Sequence, residues 1–259
     1  MLKKLIERFN YKFNKLTTKK LIKDAKMKSG TTLESVGEYW DSVYDAFHKN
    51  NPPRMSVWNK KPHPYFSRLI DFLKYKGVKN VLDAGCGEGR ESKPFHDAGF
   101  HIIGVDASQS ALKLFREHFM ESKNITLVRA LLENLPIEPE SVGALICYHV
   151  LTHIREVDKT LDNFHTILRN GGYALLEFTS KKDSTYGQGE KISDREFLQQ
   201  VVYLRYDEPK DIEKMLKKFE IISPFTSEYR TDPPHGTWYI RKKRHRHHSY
   251  FVIAQKRKD

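Results

Sequence analysis

Apolar positions along the first segment, Leu2, Leu5, Ile6, Phe9, Phe13 and Leu16, recur at three- and four-residue steps. Lys3, Lys4, Arg8, Lys12 and Lys15 fall on the other faces, so the spacing predicts a basic amphipathic helix. After a break at Ser29-Gly30, a second stripe of Val36, Tyr39, Trp40, Val43, Tyr44 and Phe47 predicts a helix over 31–48. Pro52 and Pro53 interrupt, and Pro62-His63-Pro64 introduce a helix over 65–75 that ends near Gly77. From there the period changes. Short β-rich runs predict strands over 80–84, 100–106, 125–130, 142–148 and 173–178, and helical stretches at 91–98, 109–121 and 156–168 lie between them. Asn170-Gly171-Gly172 reads as a helix stop. A polar loop over 181–190, a helix over 209–219 and strands over 220–229 and 249–255 complete the chain, the last two as an antiparallel hairpin. Alternating strands and helices predict an α/β fold: a doubly wound, mostly parallel sheet with helices on both faces. The expected organisation is a basic helical extension over 1–30 and one domain over 31–259.

Composition narrows the class. Of 259 residues, 39% are hydrophobic and 30% charged, and no apolar run approaches the roughly 20 residues of a membrane span. The N-terminus lacks the apolar core and small-residue cleavage site of a secretory signal, which predicts a soluble, cytoplasmic protein. The two cysteines, Cys86 and Cys147, fit neither a disulfide framework nor a metal pair. The formal net charge of +12 points to polyanions until its distribution is considered. Residues 1–28 carry +8 and residues 241–259 carry +7, which leaves the 212 residues between them at −3. The body is slightly acidic. The basic ends suit an anionic membrane surface or a nucleic-acid arm, but they do not line the approach to a central site.

The strongest chemical signal is Val81-Leu82-Asp83-Ala84-Gly85-Cys86-Gly87-Glu88-Gly89-Arg90, an apolar strand ending in an acid and running into three alternating glycines. Glycines in a strand-to-helix turn admit a ligand close to the backbone. Arg90 stands where the dinucleotide fingerprint places its third glycine, and Asp83 would repel a pyrophosphate. A nicotinamide or flavin dinucleotide is therefore disfavoured. At the end of the second predicted strand, Gly104-Val105-Asp106-Ala107-Ser108 sets an acid 17 residues after Gly89, with two carboxylate oxygens for the two hydroxyls of a ribose.

With these two motifs the sequence resembles the class I S-adenosylmethionine-dependent methyltransferases, from about Tyr39 to Lys256. The resemblance implies a seven-stranded sheet with an antiparallel hairpin at its edge. It also implies a cofactor without phosphate, whose cationic amino group Asp83 would accept and whose ribose Asp106 would hold. Gly85, Cys86, Gly87, Gly89 and Ala107 would form the surrounding turns. In Ala130-Leu131-Leu132-Glu133-Asn134-Leu135-Pro136 the family's acid for the adenine amino group is replaced by Leu131, leaving Leu132 and Glu133 as candidates for the ring edge. The backbone of Tyr148 would line the cofactor pocket.

Methyl transfer from an activated sulfonium needs orientation and exclusion of water more than a universal catalytic side chain. For a hydroxyl or amine acceptor, His149 in Tyr148-His149-Val150-Leu151-Thr152-His153 is the candidate base, and His153 a neighbour one turn on. Tyr39, Trp40 and Tyr44 are read as core or as an aromatic lid. Arg241 to His248 reads as a solvated hairpin tip, from which His248 would reach the acceptor pocket; three histidines without acids or cysteines give no metal site. Glu38 to Asp41, Tyr186 to Glu190 and His247 to Tyr250 are similar to a small-molecule, tellurite-resistance-type branch. The expected activity is methylation of a small molecule. Its alternatives are an RNA or protein methyltransferase using the basic ends, and a silent binding module.

Overall fold

The computed structural model describes residues 32–50, 61–120, 122–199, 202–223, 225–232 and 245–257. The expected N-terminal helix, the boundary near residue 30 and residues 241–244 of the expected tip lie outside them. Helix α1 spans Leu33–Asn50 and opens on Thr32, whose hydroxyl accepts the Ser35 amide at 3.2 Å. The helix expected over 65–75 is two short ones, α2 (Pro64–Ser67) and α3 (Ile70–Tyr75), because Leu69 N–H bonds back only three residues to Phe66.

Strands β1 (Asn80–Ala84), β2 (His101–Asp106), β3 (Ile125–Arg129) and β4 (Val142–Cys147) run parallel. Helices α4 (Ser92–Asp97) and α5 (Gln109–His118) connect the first three, and α6 (Val157–Ile167) follows β4. Strand β5 (Leu168–Thr179) begins earlier than expected. Gly171, at φ 74°, lets the chain turn and resume pairing, with Val142 opposite Leu168 and then Ala144 opposite Tyr173.

Three short strands, β6 (Glu190–Lys191), β7 (Glu196–Gln199) and β8 (Val202–Arg205), form a separate antiparallel sheet between the expected polar loop over 181–190 and the expected helix over 209–219, where the sequence pattern assigned no element. After α7 (Pro209–Met215) come β9 (Phe219–Ile221), β10 (Thr226–Asp232) and β11 (His245–Lys256). The single strand expected over 220–229 is thus divided. At the break, the Ser223 hydroxyl replaces a backbone carbonyl and takes the Ile253 amide at 2.8 Å. The main sheet has the order β10-β11-β5-β4-β1-β2-β3, with β9 also on β11, and β11 is antiparallel to both β10 and β5. The seven strands of this path match the expected architecture; β9 is an eighth. His245–His248, expected in a solvated tip, belong to β11.

Each face of the sheet has its own core. Leu82, Leu145, Leu176 and Val252 pack with Leu161 and Phe164 of α6 and Ile212 of α7. Val81, Ile102, Ile146 and Leu175 pack with Phe66, Leu73, Phe95 and Phe115 on the other face. Among the described residues no helix is long and apolar enough to cross a membrane.

Candidate active site

At the carboxyl edge of β1 the chain makes a tight turn. Gly85, Gly87 and Gly89 take φ of 73°, 53° and 85°, a region that glycine enters without steric cost. The Gly85 and Cys86 amides both donate to the Val105 carbonyl, at 2.8 and 3.0 Å, which welds the turn to β2. A Cβ on Gly85 would stand 2.3 Å from Val150, and one on Gly87 2.5 Å from the Tyr44 hydroxyl. The thiol of Cys86 is buried against Gly104, so any ligand contact of Cys86 is through its backbone.

Asp106 ties this turn to the next. Its Oδ2 accepts the Gly87 amide at 2.8 Å and its Oδ1 the Ser108 amide at 2.9 Å. An ionised carboxylate offers about four lone-pair sites, and with the Ala107 amide also bonded to Asp106 a site remains for a further donor. Burial raises the Asp106 pKa against the pull of these amides. Asp83 lies deeper, 3% exposed, with Ser92 Oγ donating to its Oδ2 at 2.6 Å; burial raises its pKa to about 7. Past β3, Leu132 and Glu133 sit on a single 3₁₀ turn, Leu132–Asn134. Leu132 is buried and its carbonyl accepts from Asn163, while Glu133 Oε2 is buried with no hydrogen-bond partner among the described residues. A tight glycine turn packed against its neighbours, a carboxylate with accepting capacity left and the orphaned Glu133 oxygen fit an adenosyl ligand with a cationic tail.

Helix α1 crosses directly above. Its Asp41 Oδ1 accepts the Ser108 hydroxyl at 2.7 Å and the Ser110 amide at 2.9 Å, capping α5 from outside. A Cβ on Gly37 would be 2.6 Å from the Ala107 carbonyl, so the helix rests on the backbone beside Asp106. Tyr44 is buried with Val43 against Ala111. Trp40 stacks edge-on with His153 at 5.2 Å, and Tyr39 packs on the apolar face of the small sheet, with Phe197 and Tyr206. His153 Nδ1 donates to the Tyr203 carbonyl at 3.1 Å and Thr152 Oγ1 to the Arg205 carbonyl at 2.9 Å. The turn after β4 is therefore fastened to the small sheet, and His153 is a brace.

Beside the glycine turn, β4, β5, β10 and β11 bring together a second set of side chains. His149, at φ 58°, is a non-glycine residue in the left-handed region. Its amide donates to Glu177 Oε2 at 3.0 Å, and its Nε2 accepts from Arg230 Nη2 at 3.1 Å. Arg230 Nη1 donates to the Tyr148 hydroxyl. The Tyr148 ring lies between His149 and the rings of His63, Phe66 and Phe251, with the Arg90 guanidinium over it at 5.4 Å. His63 is clasped from both sides: its amide donates to Glu91 at 2.8 Å and its Nε2 lies 3.1 Å from Glu228. Burial lowers the His63 pKa despite both carboxylates.

His248 is not part of this group. Strand alternation puts His247, Ser249 and Phe251 on the site face and turns His248 to the other, where it is fully buried, with Nδ1 2.5 Å from Ser180 Oγ. His247 is the histidine that approaches His149, with ring centroids 5.9 Å apart, and it is held by Asp183 at 2.8 Å. Glu177, Arg230 and Asp41 were missed by sequence reasoning. Glu177 left a trace, a lone acid within the apolar run Ala174-Leu175-Leu176-Glu177-Phe178. Arg230 left none.

Residues 82–176 match a family model described as a methyltransferase domain. A ubiquinone biosynthesis O-methyltransferase of Nitrosomonas europaea is 26% identical over 152 residues, which cover 57% of this chain and 60% of the relative, less than two thirds of its length. A protein of the same name from Rickettsia akari is 22% identical over 216 residues, 80% of this chain and 82% of that one. A solved structure, magnesium protoporphyrin IX methyltransferase from Synechocystis PCC 6803 with bound SAM, is similar with a TM-score of 0.55 at 17% identity, covering 86% of this chain and 96% of that one. At that identity the likeness establishes the fold.

Proposed function

We propose that this chain is a class I S-adenosylmethionine-dependent methyltransferase and that it methylates a small-molecule acceptor. The observation that carries the reading is the Asp106 carboxylate, fixed by an amide from the glycine turn and by the amides of Ala107 and Ser108 at the start of α5, with accepting capacity left for a ribose hydroxyl. When bound, S-adenosylmethionine supplies a methyl group already activated on a cationic sulfur. The protein's part is to bind, orient and keep water out. Asp83 would accept the amino group, Asp106 the ribose, and the turn at Leu132 and Glu133 the adenine edge.

Two features favour a small acceptor. Helix α1 closes the site from above, and the small sheet is fastened across the end of β4. Segments similar to the tellurite-resistance-type branch, Glu38 to Asp41 and His247 to Tyr250, flank this space, which supports the same reading. The names of the two curated relatives favour oxygen as the acceptor atom.

Calorimetry tests the cofactor. S-adenosylmethionine and S-adenosylhomocysteine should bind, and Asp106→Ala should weaken both by about 10- to 100-fold, as expected for charge-assisted bonds of roughly 1.5–3 kcal/mol. No binding by the unaltered protein at millimolar cofactor refutes the assignment. A screen for S-adenosylhomocysteine release over hydroxyl, amine, thiol, chalcogen and RNA acceptors then tests the substrate class, with turnover on RNA alone counting against a small molecule.

A further inference from the structure

Strand β10 ends the main sheet on one side, and among the described residues it pairs with β11 alone. Which of its backbone groups are satisfied follows from the parity of β11. The His248 carbonyl accepts the Ser180 amide at 3.0 Å, the His248 amide donates to Asp183 Oδ2 at 3.2 Å, and the Arg246 carbonyl accepts the Ser184 amide at 3.0 Å. Arg246 and His248 thus turn their main-chain groups toward the segment after β5. Ile253, of the other parity, donates its amide to Ser223, on the side of β10. His247 and Ser249 share that parity, so they bond to the residues they face on β10, Arg230 and Glu228. The amides and carbonyls of Ser227, Tyr229 and Thr231 therefore point out of the edge of the sheet.

Such a row of donors and acceptors is a template for another strand. Natural edges are commonly blunted by proline, lysine or a bulge, and Thr226–Asp232 has none of these. Its limits lie outside it: Pro224 and Pro234, which cannot donate to a ladder, stand at equal distances on either side of Tyr229. If the strand pairs antiparallel with a second copy of itself, these two stops meet only when Tyr229 lies on the two-fold axis. The outward groups then match, Tyr229 with Tyr229 of the second copy and Ser227 with Thr231. Glu228 falls opposite Arg230 of the second copy. Moving the axis by one residue, to Glu228 or to Arg230, keeps the outward groups in step but sets like charges face to face. Both side chains have partners in their own copy, so what they add across the seam is the sign of a charge. Tyr229 itself is 46% exposed, with the Arg246 guanidinium over its ring at 3.5 Å.

We propose that β10 is a dimer interface: two copies of this chain join antiparallel through their β10 edges, with Tyr229 on the two-fold axis, to form one continuous sheet. The occupant is a second copy rather than a foreign strand because both the proline stops and the charges are self-complementary about a single residue. A two-fold pairing uses both β10 edges and leaves neither to recruit a third chain. The dimer also bears on the site. Glu228 and Arg230, which hold His63 and Tyr148, lie at the seam, so each copy borders the other's site. The pairing does not depend on the reaction performed there.

Sedimentation velocity of the full chain over the micromolar range should show a concentration-dependent rise to twice the mass of one chain. A protein that stays monomeric at the top of that range overturns the proposal, whether another segment of the same chain covers the edge or nothing does. Tyr229→Lys puts two ammonium groups on the axis and should weaken the dimer by roughly tenfold, and Tyr229→Glu should do the same with two carboxylates. Mixing the two variants should restore association, because residue 229 then faces its opposite charge. A dimer that Tyr229→Lys leaves unchanged, or a mixture that stays monomeric, counts against the edge. Cysteine substitution reads the register. Facing Cα atoms in such a hydrogen-bonded pair lie about 5.5 Å apart, within disulfide reach. Under mild oxidation Tyr229→Cys should link two copies, while Ser227→Cys, which does not face itself, should not; the native Cys86 and Cys147 are buried. Linking by Ser227→Cys in preference to Tyr229→Cys overturns the pairing about Tyr229. Thermal melts confirm that each variant is folded before its mass is read.

Discussion

The two halves of the site both use left-handed backbone, and they use it differently. On the cofactor half, Gly85, Gly87 and Gly89 take positive φ in one short stretch, and neighbouring side chains fill the space their missing Cβ atoms leave. On the half proposed for the acceptor the left-handed residue is a histidine, held there by a carboxylate 28 residues away. The first half is a shape made by the backbone, and the second is a device made by side chains. Substitutions that exchange these properties should therefore separate stability from function.

Gly85→Ala should have the largest effect. The new methyl group would meet Val150 Cγ2 at 2.3 Å and force alanine to φ 73°, so steric strain and overpacking together should destabilise the fold by roughly 2–4 kcal/mol. Urea denaturation measures it. Adding Val150→Ala removes the collision but not the left-handed strain, and should recover part of the loss. Full recovery would mean that φ contributes nothing here, and no recovery that Val150 is not what the glycine makes room for.

His149→Asn makes the opposite change. Asparagine tolerates the left-handed region, and the change removes the ring with its contacts to Arg230, Tyr148 and His247, so stability should fall by about 1 kcal/mol, less than for Gly85→Ala. Turnover should fall by about 10²- to 10⁴-fold, the range of a lost general base. A large drop in melting temperature with little change in kcat would reverse the contrast between the halves.

The same division decides what could be read from the sequence. Strand β1, the glycine turn and Asp106 lie within one β-α-β unit, so local spacing alone exposes the cofactor half. The acceptor half draws on residues 149, 177, 230 and 249, joined only after β11 inserts between β10 and β5. That insertion also sets the parity of β11. A shift of one residue exchanges faces, which is why His247 rather than His248 reaches the site. The small sheet escaped reading because its strands are four residues or fewer and lie in a segment rich in polar residues. Asp41 escaped because it looks like the solvated face of an amphipathic helix, while its carboxylate caps α5.

Asp83 offers a test of the cofactor half by pH. Burial raises its pKa to about 7, so near neutrality a substantial fraction of molecules carry a proton there. A cationic amino group held against it favours the ionised form, and binding should expel that proton. Cofactor affinity should therefore rise with pH, by up to about tenfold per unit below the pKa, and level off above it. Calorimetry in buffers of different ionisation enthalpy counts the proton released. The stability of the free protein has the reverse sign. A carboxyl whose folded pKa lies above its unfolded value stabilises at low pH, and that contribution is lost as pH rises through about 7. Asp83→Asn should flatten both profiles, and an unchanged affinity profile would place the amino group elsewhere.

Tyr44→Phe should give the smallest change, and it asks whether α1 is a lid or a wall. The ring is buried against Val43 and Ala111, and the substitution keeps that packing. What it removes is the hydroxyl aimed at Gly87, worth about 1 kcal/mol if its hydrogen bonding is lost, so the melting temperature should move by only a few degrees. If α1 closes after the cofactor enters, the hydroxyl acts only in the closed state. Association should then be unchanged and dissociation about two- to fivefold faster by stopped-flow. If α1 is always docked through Asp41 and Gly37, entry and exit pass the same barrier, and both rates should change together or not at all. Asp41→Asn keeps the shape of that dock while removing its charge, so a faster association in this variant would show that α1 must lift before the cofactor half can be filled.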